Sequence, residues 1–577
     1  MPVTANQASL LRRMLPAVGW LPAYRRAWWL PDALAGLAVW AVMVPEGMAY
    51  AGIVGVPPIM GLYTIVPPLI AYALLGSSRL LVVGPDTATG LISALTVAAI
   101  AAHGTAQFNE LTSTLAILIG VFFLLFGVLR MGWVAAFIPT PVMRGFIEGL
   151  VCVTIIGQVP HLLGIDGASG NFFDKLRSVL QHLPDAPLVP VLTGLLSLVA
   201  MQSLRHLTPR VPAALIVTVA ATALVSLLGG EAAGVSVVGD LPSGLPHLVF
   251  PNLDPEILLE LVPGALAIVL VGYAEALGGA KAATLKDGGN VDPNQELIAH
   301  GPANILSGLV GGFLVVGSLS KTSVAMAAGA RTQVANLVAA VFCFLTLIFL
   351  TPLFRGMPHP ALAAIVIAAM LHLSKPGYLR DLFVRSRWEF ALAAVVVAGE
   401  LALGVPHGIA LGVVLSLITL IYRTSHPQGA VLGQLPGTEA YRDVVLHPEA
   451  ITFPGLLIWR PGGDLFFASI GHVRHGLKAA LAGRHPPVRH VLVDAESVNL
   501  VDTTALDELS NVVKELQGQG ITLALARVRD QVRERMRLEG LEALVGPDNF
   551  HERITDGVRA WQVSASGRSR QDQSVSR

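Results

Sequence analysis

The chain has 577 residues, of which 53% are hydrophobic and 13% charged, with a mean hydropathy of +0.66. Soluble domains carry roughly 25% charge, and with 38 basic against 38 acidic residues no net charge draws the protein to nucleic acid. Its two cysteines, Cys152 and Cys343, exclude a disulfide framework or a cysteine metal cage, and both read as packing residues.

The N-terminal segment, residues 1–30, sets Arg12, Arg13, Arg25 and Arg26 ahead of the first apolar run, which opens at Asp32. It lacks the n-region, h-region and cleavage site of a secretory signal, and the positive-inside rule keeps it in the cytoplasm. Long uncharged runs follow. No Asp, Glu, Lys or Arg lies between Asp86 and Glu110, Glu110 and Arg130, Arg331 and Arg355, or Glu400 and Arg423. A bilayer core of ~30 Å needs roughly 20 apolar residues in a helix, and these runs are too many for one buried core. Residues 31–424 therefore predict a polytopic α-helical membrane domain. Within it, Arg144 and Glu148 in PVMRGFIEG read as a structural helix pair.

The same region carries a hidden duplication. VVGPDTATG starts at Val82 and VVGSLSKTS at Val315, an offset of 315 − 82 = 233. Ahead of the first lies VPEGMAYAG with Glu46, and ahead of the second VGYAEALGG with Glu275, an offset of 275 − 46 = 229. Interrupted apolar segments at matching positions of two halves point to a transporter binding site, and an odd number of helices per half makes the repeats inverted.

Gly84-Pro85 and Gly317-Ser318 each read as a helix break, tolerated at membrane depth only where protein or a water-filled cavity satisfies the backbone. A new helix starts after each, with Pro85 and Asp86 in a first turn and Ser318 or Ser320 as N-cap. Helix N-termini present N–H groups and about half a positive charge, so two of them facing each other form an anion cradle. Lys321 adds a full charge, at a cost of roughly 2.5–3.5 kcal/mol at the centre of a spanning helix. The bland alternatives are a lysine that snorkels and hydroxyls that bond their own helix. A phosphate loop fails: Gly312 and Gly317 have its spacing, but the Lys-Thr pair falls at 321–322 between bilayer-length runs. Glu46 and Glu275 are acids in apolar surroundings, where a carboxyl can hold a proton or help to hold Na⁺. A structural pair of Glu275 with Lys281 is the alternative.

After Arg423 the charge density rises. Residues 425–446 read as a linker, 447–563 as a small α/β domain and 564–577, rich in Ser, Arg and Gln, as a disordered tail. LLIWR and DLFFA read as strands around the PGG turn at 461–463, and Ile470 to Leu481 as an amphipathic helix. VRHVLVDA is a buried strand, Thr504 to Gln517 a helix, ITLALA a strand and Asp530 to Glu539 a helix. Thr504 with Asp507 fits a capping pattern. His472 and His475 have no further ligands beside them, so no metal is assigned.

Three stretches resemble the SulP anion permeases, the sulfate permease family with a C-terminal STAS domain. They are PEGMAYAGIVGVPPIMGLYTIVPPLIAYALLGSSR from Pro45, GSLSKTSVAMAAGARTQ from Gly317, and VLVDAESVNLVDTTALDEL from Val491. The resemblance implies a seven-plus-seven inverted repeat of about fourteen spans in core and gate domains, a homodimer, and elevator-like movement. It implies an anion held between the N-termini of the third and tenth spans, by Asp86, Thr87 and Ala88 on one side and Ser318, Leu319, Ser320, Lys321 and Thr322 on the other. Tyr50 matches an aromatic position lining the site, and Glu275 the acidic residue that couples transport to a cation. Two residues depart from the pattern: Glu46 stands where glutamine is usual, and Lys321 where arginine is usual. In the STAS domain, Thr503 and Thr504 fall where related antagonists are phosphorylated; capping is the structural alternative.

These readings converge on a secondary transporter of a small inorganic anion, sulfate with H⁺, in the cytoplasmic (inner) membrane, with the N-terminus and STAS domain inside. Lys321 and the helix termini neutralise the anion, and Ser320, Thr87 and Thr322 donate hydrogen bonds. Glu275 carries the proton and Glu46 tunes the site. The alternatives are Na⁺-coupled uptake of bicarbonate or a dicarboxylate, a membrane receptor signalling through the STAS domain, and an anion channel. No G-x-S-x-G, Walker element or metal-ligand cluster supports an enzyme, and no cofactor is expected.

Overall fold

The computed structural model describes residues 15–137, 139–167, 170–207, 212–229, 233–241, 244–287 and 291–575; the N-terminal arginines at 12 and 13 lie outside them. The chain divides into two compact units after Ser416. Among the described residues, eight helices are long and apolar enough to cross a membrane, and shorter apolar helices such as Thr87–Ala98 and Ala213–Leu227 accompany them.

The first half of the membrane unit begins with α1 (Trp29–Val54), α2 (Pro58–Tyr63) and α3 (Val66–Leu75), which lead to the strand β1 (Val82–Gly84). It continues through α4 (Thr87–Ala98), α5 (Ala106–Val128), α6 (Thr140–Leu163), α7 (Phe172–His182), α8 (Leu188–Leu207) and α9 (Ala213–Leu227). The second half repeats that order with α10 (Pro255–Asp287), α11 (Pro293–Leu309), the strand β2 (Val316–Ser318) and α12 (Leu319–Ala327). Then come α13 (Val334–Leu345), α14 (His359–Leu373), α15 (Pro376–Arg385), α16 (Arg387–Leu403) and α17 (Val405–Ser425). β1 and β2 pair antiparallel, with Val82 opposite Ser318, Val83 opposite Gly317 and Gly84 opposite Val316. The two halves thus meet head to tail, as an inverted repeat requires.

Packing sorts these elements into two bundles. The first combines α1 to α5 with α10 to α13, and the second combines α6 to α9 with α14 to α16; α1 meets α9 and α14 where the bundles touch. In the first bundle α5 and α11 approach at backbone distance. A Cβ on Gly120 of α5 would stand 2.6 Å from Gly301 O of α11, and one on Gly308 would stand 2.5 Å from Ser113 O. Small residues at such crossings replace the hydrophobic force that lipid cannot supply. Gly120→Ala is expected to cost about 1–3 kcal/mol, because the clash is with backbone and the helices must part; a lowered thermal midpoint in detergent checks it.

Two sequence readings are corrected here. Arg144 and Glu148 do not pair: Glu148 accepts from Ser374 Oγ (2.6 Å) and Lys375 N (2.5 Å), while Arg144 lies over the Tyr378 ring at 5.7 Å. Cys343 is buried, but Cys152 is exposed, so only the former packs.

The second unit holds a six-stranded sheet in the order β4-β3-β5-β6-β7-β8. Its strands are β3 (Ala430–Gln434), β4 (Tyr441–Asp443), β5 (Leu456–Arg460), β6 (His490–Asp494), β7 (Thr522–Ala526) and β8 (Phe550–His551). β5 to β8 run parallel, and β3 pairs antiparallel with β4 and β5. Leu457, Val491 and Leu523 on one face meet α18 (Ile470–Leu481), α19 (Thr503–Gly518), α20 (Asp530–Leu538) and α21 (Leu541–Val545). Leu456, Ile458 and Leu492 on the other meet Ile554 and Val558 of α22 (Ile554–Val575). A sheet covered on both faces explains the nearly continuous apolar runs of its central strands.

Three expectations change. Residues 430–443, assigned to a linker, supply two strands. DLFFA forms no strand: Leu465 makes a single bridge to Val501, and Phe467 is exposed. α22 continues through the stretch from Ser564 where composition predicts disorder.

Candidate functional site

The paired strands fix where the two short helices begin. α4 starts after β1 and Pro85-Asp86, and α12 starts directly after β2. The backbone around these breaks is held by buried amides. Gln333 Nε2 donates to Ser78 O and Leu81 O at 2.9 and 3.0 Å, and Asn336 Nδ2 to Leu81 O at 2.9 Å. Asn304 accepts from Val315 N at 2.8 Å and donates to Val315 O at 2.9 Å. Unwound backbone away from water needs such partners.

Both helix starts are capped from within. Asp86 accepts from Ala88 N (2.9 Å), Thr89 N (3.2 Å) and Thr89 Oγ1 (3.3 Å). Ser318 Oγ accepts from Lys321 N at 3.5 Å and lies 3.1 Å from Ser320 Oγ. Thr322 Oγ1 accepts from Val82 N at 2.9 Å and donates to Ser318 O at 2.6 Å. It is therefore committed to stitching the strands together, not to donating to a ligand as the sequence suggests.

Lys321 is the centre of the arrangement. Only 1% of its side chain is exposed, and its Nζ lies 3.2 Å from Glu46 Oε2 on α1. The same ammonium donates to Pro85 O at 2.9 Å and stands 5.0 Å from the centroid of Tyr50, one turn beyond Glu46. The stem passes Gly84, where a Cβ would stand 3.8 Å from Lys321 Cδ and 2.2 Å from Met43 Cε. Tyr50 is buried and lies in the electrostatic reach of Glu46, Asp86 and Arg205. On the opposite helix, α10, Glu275 lies in the electrostatic reach of Asp86 and Lys321, and its Oε2 is buried without a hydrogen-bond partner. Two carboxyl groups close to each other and away from water disfavour being ionised together, which favours a proton or a cation there.

Comparison with known proteins gives the family of the chain. Residues 30–396 match the Sulfate permease family, and residues 447–557 match the STAS domain. The chain belongs to the sulfate permease family. The protein named Probable sulfate transporter MT1781, from Mycobacterium tuberculosis, is 34% identical over 554 residues, which span 95% of this chain and 99% of that protein. The murine Slc26a9 anion transporter, solved in an inward-facing state, has the same fold: TM-score 0.89 at 23% identity, over 97% of this chain and 96% of that one. The transmembrane domain of the cyanobacterial bicarbonate transporter BicA superposes with a TM-score of 0.60 at 21% identity, covering 68% of this chain and 98% of that one. The family is one of multi-pass membrane transporters of small anions, not of enzymes.

In this permease Glu46, Tyr50, Asp86, Thr87, Glu275 and Lys321 come together, with Ala88 buried in the first turn of α4. Leu319 is half exposed and Ser320 exposed, on the open side of α12. Glu275 lies in the electrostatic reach of Asp86 and Lys321, and among the described residues it forms no ion pair with Lys281. Arg205 of α8, absent from the sequence reading, donates to Ala368 O at 2.8 Å, and its charge reaches Tyr50; its only signal was a basic residue closing an apolar run. Thr503 and Thr504 are exposed at the start of α19, but the cap is Asp502, which accepts from Ala505 N at 2.8 Å, so Thr504 does not supply it. Among the described residues no group of three metal-ligating side chains occurs.

Proposed function

We propose that this permease is a secondary active transporter that carries sulfate with a proton across the cytoplasmic membrane, with its N-terminus and STAS domain on the inner side. The observation that carries the reading is the buried Lys321–Glu46 pair at the crossing of β1 and β2. With no anion bound, Glu46 supplies the countercharge to Lys321. An arriving oxyanion competes for that ammonium, and the charge balance closes when a carboxyl of the pocket takes up a proton. Glu275, in the electrostatic reach of Asp86 and Lys321, is the group assigned to carry that proton, and Glu46 is the group displaced. Thr87 and Ser320 donate to the anion's oxygens. The first bundle moves against the second in an elevator-like step, in keeping with the sorting of the helices into two packed groups.

Sodium-coupled bicarbonate uptake is the second reading. It is favoured by the electrostatic coupling of Asp86 and Glu275, because Na⁺ neutralises two such carboxylates as well as a proton does. Proteoliposomes with imposed pH and sodium gradients separate the two. Labelled sulfate uptake is expected to rise as external pH falls and to lose accumulation in Glu275→Gln. Uptake of bicarbonate that follows sodium and ignores pH overturns the sulfate–proton reading.

A further inference from the structure

Outside the anion pocket, the buried acids Asp32 and Glu296 are held by hydrogen bonds from Thr332 and Tyr72, whereas Glu400 is not. Glu400 sits one turn from the end of α16 and is fully buried. Its neighbours make room with glycine. A Cβ on Gly149 of α6 would stand 2.3 Å from Glu400 Oε2, and one on Gly408 of α17 would stand 2.1 Å from Glu400 Cγ. Neither carboxyl oxygen has a hydrogen-bond partner.

The titratable groups around this seam are otherwise engaged. On α6, Glu148 is held by Ser374 and Lys375 N, and the Cys152 thiol is exposed. Lys175 of α7 lies beside Gly157, two turns further along α6. His407 of α17 is exposed. α15 meets α16 through Phe383 and Phe390, nearly three turns before Glu400. Among the described residues Glu400 forms no ion pair, and neither of its oxygens is hydrogen-bonded. A carboxylate buried without donor or countercharge avoids that cost by holding a proton.

We propose that Glu400 is a proton-binding site in the second bundle, separate from the carboxyl groups of the anion pocket, and that its proton keeps α6, α16 and α17 packed. With the proton bound, the two glycines let the helices close over a neutral group. Without it, the bare charge draws water into the seam and the frame against which the first bundle moves loosens. Transport is therefore present while Glu400 is protonated and declines on the alkaline side.

The test uses the full-length protein in proteoliposomes. Infrared difference spectra between the parent and Glu400→Gln read the carbonyl band of a protonated carboxyl. Anion uptake with equal pH on both sides, normalised to each protein's own neutral rate, reads the consequence. The parent is expected to show a protonated-carboxyl band that the variant lacks. Beyond its alkaline midpoint, parental uptake falls about tenfold per pH unit, while Glu400→Gln and Glu400→Met do not share that fall. A missing band, or the same alkaline fall in all three proteins, overturns the proposal. Failure of both variants to fold overturns it too, because a site that is already neutral accepts a neutral side chain of that length. The band does not depend on which anion is carried, so its absence is distinguishable from a failure of the sulfate reading.

Discussion

Lys321→Ala is expected to abolish anion uptake and to destabilise the membrane unit, and Glu46→Gln added to it is expected to restore much of the stability but none of the uptake. Removing one partner of a buried ion pair leaves the other charge uncompensated, at about 3–5 kcal/mol. Pro85 O also loses the donor it holds at 2.9 Å. Neutralising Glu46 removes the stranded charge, whereas nothing replaces the cation that the anion needs. Thermal unfolding in detergent reads the first effect, and labelled uptake in proteoliposomes reads the second. Lys321→Arg keeps the charge, but a planar guanidinium of greater length must fit between Tyr50 and Gly84, so uptake is expected to drop without vanishing. Parental uptake by Lys321→Ala would falsify the site assignment. Recovery of uptake in the double variant would shift the anion's countercharge to another residue, Arg205 being a candidate because its charge reaches Tyr50.

That pair also marks the boundary of what the sequence could disclose. The breaks at Gly84-Pro85 and Gly317-Ser318, the matching offsets of Glu46 and Glu275, and the cost of a lysine in an apolar run are all local signals, and the two short helices begin where those signals put them. What a chain cannot display is which acid meets the lysine. Lys281 is near Glu275 in sequence, but the antiparallel register of β1 and β2 carries Lys321 to Glu46 and Asp86 to Glu275. Capping was legible as a preference and not as an outcome: Asp86 and Asp502 each close their own helix start, and Thr322 spends its hydroxyl on backbone. In the second unit the parallel strands declared themselves by apolar runs. β3 did not, because Pro427 and Gly429 precede it and its pairing with β4 and β5 makes it a strand. DLFFA read as a strand because alternation in five residues does not reveal that Phe467 points outward.

The largest effect expected in the STAS unit comes from Asp494→Ala. Asp494 ends β6 fully buried, accepting from Arg460 Nε at 2.5 Å and from Arg527 Nε and Nη2 at 2.9 and 2.6 Å. Those arginines close the two strands on either side, β5 and β7, so one carboxylate ties three adjacent strands at their C-terminal ends. Arg527 adopts a left-handed backbone, φ 58°, a conformation that an L residue holds only when its surroundings secure it. Glu496 stays beside both guanidinium groups at 3.8 and 2.8 Å, but it is more than half exposed and compensates poorly. Because the guanidinium groups themselves are 28 and 29% exposed, water screens part of the loss, and the cost falls at the low end for a broken buried pair, about 3 kcal/mol. For a urea dependence of roughly 2 kcal/mol per molar, the unfolding midpoint of the STAS unit, read by proteolysis of the full-length chain, moves down by about 1.5 M. Asp494→Asn keeps the shape and one acceptor and is expected to lose less. A midpoint unmoved by Asp494→Ala means that Glu496 alone holds the arginines, and the tie between the three strands is then not electrostatic.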